Sequence, residues 1–123
     1  MATTPDALVT QFCAAWVRMD ADELADYFTE DGVYHNIPMA PVAGRENVLA
    51  LLRGFMASWT ATTWDIINLA AAGDVVITER IDHIDAGGKH VDLPVAGVFE
   101  IRDGKIAAWR DYFDFATYRD AMF

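Results

Sequence analysis

Apolar residues recur at helical spacing early in the chain and alternate with polar ones later, so the pattern predicts helices followed by strands. Pro5, capped by Thr4, opens a first helix, in which Leu8, Phe12, Ala15, Trp16 and Met19 form one apolar stripe to about residue 18. Asp20 with Glu23 three residues on is a capping-box pattern; it starts a short second helix ending near Tyr27–Phe28, before an Asp31–Gly32 turn. A brief strand is expected from Val33 to Ile37. Pro38, Pro41 and Gly44 then bracket a loop, and Val48, Leu51, Leu52, Phe55 and Trp59 carry the stripe of a third helix over Arg45 to Ser58. From Thr62 onward, runs rich in Val, Ile, Trp and Phe are separated by turns at Gly73–Asp74, Asp85–Gly88 and Asp103–Gly104, which predicts four strands in an antiparallel meander. A final helical segment, Ala116 to Ala121, has the weakest pattern. The order of elements is α+β, with helices covering one face of a curved mixed or antiparallel sheet that can wrap a pocket.

At 123 residues the chain has the size of one domain spanning 1–123, without room for a cofactor domain beside a substrate domain. Nineteen Asp plus Glu against nine Lys plus Arg give a formal charge of −10, which disfavours nucleic acid and anionic membrane surfaces as partners. No apolar run approaches the roughly 20 residues of a membrane span, and the segment from Met1 to Asp6 lacks the basic and apolar regions of a signal peptide. A single cysteine, Cys13, fits a reducing compartment and a cytoplasmic location.

The alternation also selects candidate chemistry, because residues two apart on a strand share a face. Arg80 and Asp82 share theirs with Val76 and Ile84; Asp111 shares its face with Trp109 and Phe113; Tyr34 and Asn36 share one, with His35 pointing away. A carboxylate on so apolar a face needs a partner, and Arg80 is the obvious one. Such a group is either an ion pair at a sheet edge or interface, or the charged floor of a lined cavity. His35 and His83 point away from Asn36 and Asp82, and His90 lies beside a turn, so no metal site is expected.

Tyr34-His35-Asn36-Ile37-Pro38, Thr78-Glu79-Arg80-Ile81-Asp82 and Trp109-Arg110-Asp111-Tyr112-Phe113-Asp114 together resemble the signature stretches of limonene-1,2-epoxide hydrolases, as do Gly44-Arg45 and Gly97-Val98-Phe99 in their order. The resemblance implies the cone-shaped α+β fold of nuclear transport factor 2-like and SnoaL-like proteins, a homodimer, and a deep apolar pocket. It implies a cofactor-free hydrolase that adds water to a lipophilic epoxide, with Asp111 as general base, Asp82 as general acid, Arg80 bridging them, and Tyr34 and Asn36 helping to hold the water. Alternation and resemblance together put Phe55, Trp59, Ile84, Leu93, Val95, Trp109 and Phe113 in the substrate wall. Relative to the limonene enzyme the chain is short at both ends and the turn at Gly87–Gly88 is tighter, which bears on the pocket mouth. A ketosteroid isomerase or polyketide cyclase, or a non-catalytic binder of apolar ligands, is the alternative use of such a fold.

Overall fold

Strands with alternating burial make up the second half of the molecule, as their sequence pattern requires. A computed structural model describes residues 3–123, so Met1 and Ala2, where the segment without signal-peptide character begins, lie outside the described residues. Helix α1 (Pro5–Ala15) tightens into a 3₁₀ turn, Trp16–Arg18, and is followed by α2 (Ala21–Ala25), β1 (Phe28–Asn36), β2 (Val42–Ala43), α3 (Arg45–Ser58), β3 (Ala61–Ala72), β4 (Val75–Ala86), β5 (Lys89–Arg102), β6 (Lys105–Tyr112) and α4 (Phe115–Met122). The six strands form one open sheet in the order β2-β1-β6-β5-β4-β3. No helix among the described residues is long and apolar enough to cross a membrane.

Strands β3 to β6 are the expected antiparallel meander, and Asp20 caps α2 by accepting a hydrogen bond from the Glu23 amide, 3.1 Å. Two details differ. The second helix ends at Ala25, because the next residues serve the sheet: the Ile106 amide donates to the Tyr27 carbonyl and Phe28 pairs with Ile106. Asp31–Gly32 is not a turn but lies within β1, at a shift of register between Phe28 and Val33. A Cβ on Gly32 would come within 3.0–3.1 Å of the Thr29 and Ile106 carbonyl oxygens, so glycine permits the close approach there. Of the two expected alternatives, mixed or antiparallel, the sheet is mixed, because β1 runs parallel to β6; a pairing between distant segments leaves no local turn signal. The two-residue strand β2 has too little pattern to be read from sequence.

The helices cover the concave face. Phe12 of α1 meets Trp109 edge-on with ring centroids 5.0 Å apart, and Trp16 stacks on Trp64 at 4.0 Å. Leu8, Val9, Val48 and Leu52 complete this side of the core. Burial of this apolar face is the main stabilising contribution, at about 25 cal/mol per Å², and a pocket remains open between the helices and the curved sheet.

Candidate active site

Arg80 has no exposed surface at all, and Asp82 and Asp111 retain 3% each, so three ionisable groups sit inside an apolar core. The cluster is tolerated there because the guanidinium is fully used. Arg80 Nε and Nη2 donate to the two oxygens of Asp82, both at 3.0 Å; Nη1 and Nη2 donate to Asp111 at 3.2 and 2.8 Å; and Nη1 also donates to the Thr78 hydroxyl at 3.2 Å. These bonds match the five N–H groups of the planar fork one for one, which a lysine ammonium could not do. Arg80 Cζ lies over the Trp64 ring, 4.6 Å from its centroid, which adds a desolvated cation–π contact.

The sheet register explains how residues of separate strands meet. Thr78, Gly97, Asp111 and Asn36 form one row across β4, β5, β6 and β1, and Val76, Phe99, Trp109 and Tyr34 form the row beside it. Gly97 leaves a gap in its row, and Arg80 reaches through that gap from β4 to Asp111 on β6. A Cβ on Gly97 would stand 2.5 Å from Arg80 Nη1, 2.7 Å from Asp111 Oδ1 and 3.0 Å from the Thr78 hydroxyl. Asp111 takes a further bond from the Trp109 indole N–H at 2.7 Å, whereas Arg80 is the donor to Asp82.

The two carboxyls face a pocket of about 440 Å³, counting its open mouth, which Tyr34, Asn36, Asp82 and Asp111 line at the polar end. Phe55, Trp59, Trp64, Ile84, Leu93, Val95, Phe113, Met39 and Tyr118 make the rest of the wall. Burial pushes Asp82 up to about 6, against the pull of the Arg80 guanidinium. Burial likewise works against the charge of Arg80, but the two carboxylates outweigh it and hold the group well above its ordinary value. Burial first, and then the Asp111 charge, raise the Tyr34 phenol well above its usual range, so it stays a neutral donor. With two carboxyls and one cation, a single proton on the pair makes the cluster neutral, the state that an apolar setting favours.

The chain matches the Limonene-1,2-epoxide hydrolase catalytic domain family over residues 3–122. It belongs to the limonene-1,2-epoxide hydrolase family. Epoxide hydrolase EphG of Mycobacterium tuberculosis is 36% identical over 106 residues, which cover 86% of this chain and 70% of that protein. The solved structure of an M. tuberculosis LEH-like epoxide hydrolase aligns with a TM-score of 0.84 at 31% identity, over 96% of this chain and 88% of the other. A hypothetical protein with a ketosteroid isomerase-like fold from Catenulispora acidiphila, solved with trimethylamine, aligns at 0.85 with 25% identity, over 98% and 94% of the two chains. The expected fold class is therefore the observed one, and the chain is an enzyme of the epoxide hydrolase class.

In this member of the limonene-1,2-epoxide hydrolase family, all five polar residues singled out from sequence converge: Tyr34, Asn36, Asp82 and Asp111 on the pocket, and Arg80 behind the carboxyls. Six of the seven expected wall residues line the pocket, namely Phe55, Trp59, Ile84, Leu93, Val95 and Phe113. Trp109 does not. It is wholly buried behind Tyr34, whose ring stacks on it at 4.0 Å, because β1 lies beside β6 and brings Tyr34 over it. Its indole N–H orients Asp111 instead. Sequence reading missed Met39, Trp64 and Tyr118 in the wall, and Thr78 and Gly97 beside Arg80. Trp64 and Thr78 could have been found by the same alternation that selected Asp82. Tyr118 belongs to α4, whose pattern is weak; its hydroxyl accepts the Trp59 indole N–H at 3.0 Å and so ties α4 over the pocket.

Proposed function

We propose that this protein opens a lipophilic epoxide with water in a single step to give a vicinal diol, without a cofactor and without a covalent enzyme ester. The observation that carries the reading is the four-bond grip of one buried arginine on two carboxyls at the polar end of an otherwise apolar pocket. Water is a weak nucleophile and a ring oxygen a poor leaving group, so the reaction needs a base and an acid on opposite sides of one C–O bond. Asp111, held by Arg80 and by the Trp109 indole, removes a proton from a water that Tyr34 and Asn36 orient. The water oxygen bonds to a ring carbon as the C–O bond breaks, and Asp82 gives its proton to the departing oxygen. The proton gained by Asp111 then returns to Asp82 through solvent before the next turnover. Each proton transfer is worth about 10²–10⁴ in rate, and fixing the water adds to that.

The apolar wall of Phe55, Trp59, Ile84, Leu93, Val95 and Phe113 favours a substrate of the bulk and polarity of a cyclic terpene epoxide. We further take the working form to be a homodimer: Ile67, Ile77 and Tyr112 are exposed on the outer face of the sheet, where a second copy would cover them, and light scattering on a sizing column reads the mass.

Diol formation from a panel of cyclic and linear epoxides tests the reaction, and no turnover of any of them sinks it. A single turnover in ¹⁸O-water tests the one-step route. All label should enter the diol; label in Asp82 or Asp111 contradicts direct attack. Proton exchange at a ketone substrate, measured alongside, separates enolate chemistry from this reading.

A further inference from the structure

On the face of the sheet opposite the pocket, β4 and β5 bring together two histidines and an aspartate that their sequence positions do not suggest. His83 and Asp92 are direct cross-strand partners, as are Asp85 and His90. All four alternate with the buried residues Asp82, Ile84, Val91 and Leu93, so they point outward. His83 Nδ1 and His90 Nε2 both meet the same oxygen, Asp92 Oδ1, each at 2.6 Å, and the three ligand-type atoms lie within 4.8 Å of one another. We propose that His83 Nδ1, His90 Nε2 and Asp92 Oδ1 form a surface site for a borderline divalent transition metal of the Zn²⁺ class, unrelated to the epoxide pocket.

Two features carry this. The first is the partner of each ring's far nitrogen: His83 Nε2 meets Asp65 Oδ2 at 2.8 Å, and His90 Nδ1 meets Asp85 Oδ1 at 2.5 Å. A carboxylate behind a histidine fixes the tautomer that turns a lone pair toward a metal, and it is the usual support of a histidine ligand. Here both rings have one, and both aim their other nitrogen at one point. The second is the spacing of the three ligand atoms. Tetrahedral bonds of about 2.0–2.1 Å need ligand atoms about 3.3 Å apart, so the two 2.6 Å contacts must open by less than 1 Å and the two nitrogens, within 4.8 Å of each other, must close toward that spacing, which these solvent-facing side chains can do. Two nitrogens and one oxygen leave a fourth position for water. Bound there, the ion would pin β4 to β5 near their connecting turn.

The test is titration of chelator-treated, full-length protein with Zn²⁺ by calorimetry in two buffers, and with Co²⁺ by visible absorption. One ion per chain and the intense bands of tetrahedral Co²⁺ are expected. His83→Ala and His90→Ala should each weaken binding at least about tenfold, and Asp65→Asn should do so less, with diol formation unchanged in all three. Failure to bind at millimolar metal overturns the proposal, and so does binding that survives the double variant His83→Ala/His90→Ala. A Zn²⁺ requirement for diol formation would overturn the separation from the pocket.

Discussion

Adding one methyl group at Gly97 should disable the site from a strand that contributes no catalytic group. Gly97 needs no left-handed backbone, so Gly97→Ala introduces no conformational strain and acts by contact alone. Its Cβ would lie 2.5 Å from Arg80 Nη1, and relief to an ordinary contact requires the guanidinium to move by about 1 Å. That motion strains or breaks the Nη1 bonds to Thr78 and Asp111, of which the charged one is worth about 1.5–3 kcal/mol. Overpacking itself costs about 1–3 kcal/mol, so a total of about 2.5–6 kcal/mol of stability is expected. A displacement of this size at a catalytic constellation should lower kcat/KM at least about 100-fold. Urea unfolding and diol formation from a cyclic epoxide measure the two effects. Gly54→Ala is the control: its Cβ meets nothing within 4 Å on an exposed turn of α3, and it should gain about 0.5–1 kcal/mol with activity intact. If Gly97→Ala keeps near-normal kcat/KM and stability, the gap in β5 is not what lets Arg80 reach Asp111.

Further outcomes follow from the same geometry. Asp82 is pushed up to about 6, so if it is the proton donor, kcat/KM should fall as pH rises through that region, while a base elsewhere would give a rate that climbs there. The same shift makes the folded state hold a proton that the unfolded chain has released, so Asp82's contribution to stability is greatest below its ordinary carboxylate value and is lost as pH rises toward 6; thermal unfolding against pH reads this. Arg80→Lys keeps the charge but offers three donors where five are used, and should cost about 100-fold or more in kcat/KM, with a lowered melting temperature. Wild-type turnover in that variant would mean that charge alone suffices.

Much of the site was legible because strand alternation is a strict rule: once Arg80, Asp82 and Asp111 fall on apolar faces, they must find partners or unfold the core. What alternation omits is depth and neighbours. Trp109 shares the face of Asp111, but only the parallel pairing of β1 with β6, formed across most of the chain, determines that Tyr34 covers it. Gly97 carried a family likeness in sequence but no stated reason, since its function is to be absent from a space that Arg80 fills. The convergence of His83 and His90 on Asp92 was hidden for a related reason. Spacing puts His90 and Asp92 on one face of β5, but only the β4–β5 register sets His83 opposite Asp92.

The central claim is tested most directly by Asp111→Asn, which keeps the shape of the side chain and removes its capacity to take a proton. Diol formation should drop by about 10³ or more while the variant still unfolds cooperatively. Turnover within a few-fold of the unmodified protein, on the same epoxide, would contradict the assignment of water activation to this carboxylate.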